Sequence, residues 1–221
     1  MSEPQFVDPA VSRRKFDREI AEFRSQAAEY GRRGWFLADA EFPHALIVLA
    51  TAKTQPISML CGVRFDYSNY DVAPPSVRLV HPLTREPYTW SQLPTPLPRM
   101  PPTPNAEEAA SQPLPPGVEQ ALPPEIAQAL AQGGAQAAVA VQLQTLMQAH
   151  GDDDIPFLCI AGVREYHEHP AHTGDPWESH RTAGAGRLVR LVGIISKYGL
   201  ETIEGFDVQF HIRFRMVIAP E

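Results

Sequence analysis

His44-Ala45-Leu46-Ile47-Val48-Leu49-Ala50-Thr51-Ala52 and, a few residues on, Ser58-Met59-Leu60-Cys61-Gly62-Val63-Arg64-Phe65-Asp66 decide the fold. Both runs are short and rich in Val, Ile, Leu and Phe, and a proline-bearing break separates them, which predicts two buried strands. Working outward, Trp35-Phe36-Leu37 begins extended chain before them. The turn-rich Tyr67-Ser68-Asn69-Tyr70 and Pro74-Pro75 follow, and then a short strand over 77–80. Upstream, Phe16, Ile20, Phe23, Ala27 and Tyr30 recur in steps of four, three, four and three, one face of a helix running from about residue 11 to residue 30. Asp8-Pro9 supplies a cap and a first-turn proline, and Gly31 and Gly34 stop the helix. A helix followed by an antiparallel meander is an α+β arrangement.

Past residue 90 the composition changes. Eleven of the 23 prolines lie from Pro94 to Pro124, a density that excludes helix and central strand there. An Ala/Gln-rich stretch over 124–150 has good helix propensity but a weak apolar stripe. Residues 91–154 therefore read as an insertion in one domain whose core is 11–90 and 155–218. The core resumes with a strand over 155–163 that carries Cys159, followed by a histidine-rich loop to Arg181. Leu188, Leu191, Val192 and Ile195 then mark the face of a second helix, ended by Gly199. From Phe206 to Ile218 apolar residues alternate strictly with polar ones, which predicts a last strand.

A net charge of -7 argues against a general nucleic-acid binder, which needs basic surface to displace counterions from phosphates. The first helix is locally basic, and Arg13, Arg14, Lys15 and Arg18 suit an acidic protein partner or simply a solvated face. Two cysteines in a chain of 221 residues make no disulfide framework and point to a reducing compartment. No apolar run approaches the ~20 residues that span a bilayer. With no signal-like N-terminus, a cytoplasmic location is expected.

Chemistry concentrates between Cys159 and Arg181. Four of the eight histidines fall within 167–180, beside Cys159, Glu165 and Glu168. On extended chain His167 and His169 project to one side, and Pro170 turns the chain so that His172 can approach as a third ligand. Thiolate, imidazole and carboxylate together favour Zn²⁺ over Mg²⁺ or Ca²⁺, so Cys159, Glu165, His167, His169 and His172 are candidate metal ligands. Alternatively Cys159 is a nucleophile whose thiolate is favoured by neighbouring imidazoles or by Arg164, or a small apolar residue of a strand. Cys61, between Leu60 and Val63, reads as the last of these.

The passage Tyr70-Asp71-Val72-Ala73-Pro74-Pro75, the strand after it and His81-Pro82 resemble ubiquitin-conjugating enzymes (the UBC-like fold). Phe157-Leu158-Cys159-Ile160, with Trp177 and a helix downstream, resembles their active-site segment. The stretch from Cys159 to His172 also resembles a bacterial predicted metal-binding family known by its Cys, Glu, His, His residues, which occurs beside ubiquitin-like conjugation components. Leu83 stands where conjugating enzymes usually carry an asparagine that supports the oxyanion, and an insertion separates His-Pro from the cysteine. The resemblance implies a UBC-like domain that carries a ubiquitin-like modifier as a thioester on Cys159. His169 or a neighbouring imidazole would then act as base, and an activating enzyme would dock on the first helix. A zinc-binding accessory protein with a structural Cys/Glu/His site is the alternative, and a zinc hydrolase a further one.

Overall fold

The computed structural model describes residues 6–54, 57–99 and 144–204. The expected last strand, the helix expected over 124–150 and most of the proline-rich run lie wholly or largely outside these residues. Helix α1 (Pro9–Ser25) begins where Asp8 accepts from the Ala10 amide at 2.8 Å and Pro9 fills the first turn. It buries Phe16, Ile20 and Phe23, as the spacing predicts. The helical stretch is divided at Gln26, and a short α2 (Ala27–Arg32) follows. Gly31 therefore lies inside a helix, and Gly34 makes the stop. Gly34 has φ +80°, and a side chain there would run into the Ala50 carbonyl at 2.0 Å.

Four strands follow in sequence order as one antiparallel sheet: β1 (Trp35–Glu41), β2 (His44–Thr51), β3 (Ser58–Asp66) and β4 (Ser76–Val80). Pairing Leu49 with Cys61 and Ile47 with Val63 puts Ala45, Ile47, Leu49, Cys61, Val63, Phe65, Val77 and Leu79 on one face. That face meets α1 and a C-terminal helix, named α5 below, so helices and sheet form two layers around one core.

The core does not stop at residue 90. Leu97, Leu146 and Met147 are buried within it. Around them run four two-residue strands: β5 (Pro98–Arg99) pairs with β6 (Gln144–Thr145), and β7 (Met147–Gln148) with β8 (Phe157–Leu158). Residues 91–99 and 144–154, expected to belong to the insertion, therefore bracket it and form part of the domain. The chain then makes α3 (Arg164–Glu168), a 3₁₀ turn (Pro170–His172), α4 (Trp177–Arg181) and α5 (Leu188–Gly199). Helix α5 buries Leu188, Leu191, Val192 and Ile195, each worth roughly 1.5–3 kcal/mol of apolar burial. The Trp35 indole donates to Ser196 Oγ at 2.9 Å and ties α5 to β1. The fold is α+β: an N-terminal helix, a four-stranded meander and C-terminal helices.

Candidate functional site

Cys159 sits just beyond the two residues of β8, not inside a long strand. Its amide donates to the Leu146 carbonyl at 2.7 Å, and the chain then turns back so that the Val163 amide meets the Ile160 carbonyl. Gly162 permits this turn, because a side chain there would strike the backbone at Ala185, 2.1 Å from its carbonyl oxygen. The thiol is half-buried, whereas Cys61 is wholly buried in the sheet.

The polypeptide after the turn is helical, so His167 and His169 do not share the face of a strand. Tight turns at 160–163 and at Pro170 allow only five residues of helix between them. The imidazole beside the thiol is His172, with Nε2 3.4 Å from Cys159 Sγ. His172 lies flat on the Tyr166 ring, with centroids 3.9 Å apart and planes 17° apart. Tyr166 Oη in turn donates to Asp175 Oδ2 at 2.7 Å, and Asp175 Oδ1 is 2.5 Å from His180 Nε2. Asp175 thereby anchors the aromatic platform on which His172 rests.

Burial pushes the Cys159 thiol up, against a smaller opposing pull from the Arg99 guanidinium. Burial pulls His172 down, and the neighbouring His169 and His167 rings add to this while Asp175 opposes it. Both directions favour a neutral thiol beside a neutral imidazole over a thiolate–imidazolium pair. Arg164 does not reach the sulfur. It is buried, with Nε donating to the Pro74 carbonyl at 3.2 Å and a terminal nitrogen to the Ser68 carbonyl at 2.6 Å.

The other expected ligands are directed elsewhere. Glu165 faces β4, accepting from Ser76 Oγ and the Val77 amide and pairing with Arg78 at 3.3 Å. His167 spends both ring nitrogens on carbonyl oxygens, those of Asp175 at 2.9 Å and Ala161 at 2.7 Å. His169 is stacked on Phe157 at 4.8 Å, with its ring 5.6 Å from that of His172, and its Nδ1 accepts from the Ala171 amide. The five-residue donor set therefore does not converge on one point. Of that set, only His172 is placed beside the Cys159 thiol. Among the described residues no group of three or more His, Cys, Asp and Glu is placed to hold a metal ion.

The segment after Cys159 is locked to the double-proline passage. Besides Arg164, the Trp177 indole donates to the Asp71 carbonyl at 2.9 Å, and Gly186 lies where a side chain would press on Pro75, Trp177 and Tyr70. The Asp71 carboxylate meets Lys15 of α1 and Arg181 of α4. Burial alone would raise it, but these two cations hold it below the usual carboxylate range.

A family model described as Y4jH-like (Y4jH family) matches residues 7–203, spanning the sheet, Cys159 and the histidine segment. The chain belongs to the Y4jH-like family. A protein of Sinorhizobium fredii (strain NBRC 101917 / NGR234) described as "Uncharacterized protein y4jH" is 38% identical over 220 residues, covering 100% of this chain and 97% of that protein.

On the basic helix of this Y4jH-like chain, Lys15 is engaged with Asp71, Arg18 lies 3.5 Å from Glu19, and the Arg13 guanidinium sits 5.4 Å over the Phe42 ring. Arg14 is exposed. Four participants at the site are not singled out by sequence reasoning: Arg99, His150, Tyr166 and Asp175. His150 lies 5.8 Å from the His169 ring, brought there as the chain turns from β7 to β8. Tyr166 and Asp175 had a readable signal, since they lie among the histidines. Arg99 had none, because its approach depends on pairing across the expected insertion.

Proposed function

We propose that the protein accepts an acyl group as a thioester on Cys159 and passes it to an amine, as a conjugating enzyme of a ubiquitin-like modification pathway does. The observation that carries this reading is the half-exposed Cys159 thiol facing His172 Nε2 at 3.4 Å. Support also comes from the element order. A leading helix, a four-strand meander, the double proline and His81-Pro82 precede the cysteine, and a helix follows it. His81 Nδ1 accepts from the Leu83 and Thr84 amides at 3.3 and 3.1 Å, so this histidine holds its own turn.

In the loading step, Cys159 Sγ attacks the carbonyl carbon of an incoming thioester. The new C–S bond forms, the old one breaks, and the thiol proton passes through His172 to the departing thiolate. In the transfer step an acceptor amine attacks the same carbon. His172 takes the amine proton as the C–Sγ bond breaks and returns it to the Cys159 sulfur, leaving an amide. A neutral His172 is the form that can accept a proton in both steps. Electrophile and acceptor would come from partner proteins, an activating enzyme with its modifier, and Arg14 on α1 is an exposed cation with no ion pair to the described residues, available for such a contact. The test is acyl transfer to Cys159 from N-acetylglycine thioester, read by intact mass: the reading requires a hydroxylamine-labile adduct that Cys159→Ala lacks. A zinc-binding role draws support from His172 beside the thiol, and metal analysis of the same protein separates it, since a coordinated sulfur does not load.

A further inference from the structure

The outer face of the sheet, opposite the helices, holds a second feature. Residues Asp39, Leu46, Arg64 and Arg78 form one cross-strand row on that face. The turn after β4 places Arg85 across it, where Arg85 Nη1 meets Asp39 Oδ2 at 2.6 Å. A cavity of about 480 Å³ is lined by both residues of this bridge together with Glu41, Phe42, His44, Ala45, Leu46 and Arg64. That volume is within the range of small-molecule sites, roughly 300–1,000 Å³.

The charges in this cavity are unequally satisfied. Arg85 is paired with Asp39, and Arg78, next along the row, is paired with Glu165 and donates to the Pro156 carbonyl. The Arg64 side chain is half-buried and makes no hydrogen bond or ion pair with the described residues. A guanidinium partly withdrawn from water in the wall of a cavity can take a carboxylate through two parallel hydrogen bonds. Phe42 and Leu46 offer the apolar surface beside it. Glu41, also in the lining, carries a carboxylate that disfavours a ligand with more than one negative group.

We infer that this cavity is a binding site for a small monocarboxylate with an apolar body, its carboxylate on Arg64 and its body against Phe42 and Leu46. The site is distinct from that of the Cys159 reaction, because no residue that lines it touches Cys159 or His172. Benzoate is the probe, with benzamide as its uncharged counterpart, titrated into the full-length protein and followed through the amide NMR signals of β2 and β3. Saturable shifts centred on Leu46 and Arg64 are expected. Benzamide should bind about tenfold more weakly, as should benzoate to Arg64→Gln, with Arg64→Lys intermediate because ammonium makes no bidentate contact. The spectrum of each variant reports directly whether its fold is kept. The proposal is overturned if the wild-type protein shows no saturable shift. Equal binding of benzoate and benzamide overturns it too, as does unchanged benzoate binding in a folded Arg64→Gln protein.

Discussion

The sulfur of Cys159 and the imidazole of His172 are shifted in opposite directions by the same cause, partial burial, and both shifts disfavour moving the thiol proton to the imidazole. Iodoacetamide labelling reads this directly. With the thiol raised, the thiolate fraction at neutral pH is below that of a free cysteine, so the rate climbs with pH and levels off above the ordinary value of about 8.5. Cys61, pushed up to about 12 by complete burial, stays unlabelled while the protein is folded. A Cys159 profile that levels off near neutral pH would instead show a preformed thiolate. His172 was legible as a nearby candidate, but its position at the sulfur was not. That position depends on the stack with Tyr166 and on a 3₁₀ turn, and neither leaves a periodic trace in the sequence.

Among the elements, α1 and α5 are joined by a buried carboxylate. Glu19 of α1 accepts from the Leu188 amide at 3.2 Å, at the first residue of α5, and is 1% exposed. Burial pushes the Glu19 carboxyl up more than the Leu188 amide, Arg187 and Arg18 pull it down. An acid whose folded value exceeds its unfolded value stabilises fully below the unfolded value, and this contribution is lost as pH rises through the folded one. Urea unfolding of Glu19→Gln should therefore lack that decline while keeping an acceptor for Leu188. Glu19→Leu leaves the amide unpaired and should cost about 1–3 kcal/mol. An identical pH slope in Glu19→Gln would contradict this assignment. Helices α1 and α5 and strands β2 to β4 were legible because each buries one regular face or forms a continuous apolar run. Strand β8 was legible within the longer strand expected over 155–163, but β5 to β7 were not, because two-residue strands carry no period and exist only through pairing with distant chain.

For the whole molecule, the consequence is that the core is closed by residues flanking a stretch whose composition reads as an insertion. Leu97 lies among prolines and Met147 among alanines and glutamines, so neither stands out by pattern, yet both are wholly buried. Met147→Ala should cost about 2–5 kcal/mol in chemical unfolding, the range for truncating a large core side chain. A loss below about 1 kcal/mol, typical of surface positions, would place it outside the core. The same closure positions the site, since Leu146 holds the Cys159 amide and β7 pairs with β8 immediately before the thiol. Intact-mass kinetics with N-acetylglycine thioester, on wild type, Cys159→Ala, His172→Ala and His169→Ala, test the central claim most directly. The account predicts one hydroxylamine-labile acyl group on Cys159, absent in Cys159→Ala. Formation should slow about 10²-fold or more in His172→Ala, as for loss of a general base, and change little in His169→Ala. No adduct on the wild-type protein, or equal rates with and without His172, would contradict it.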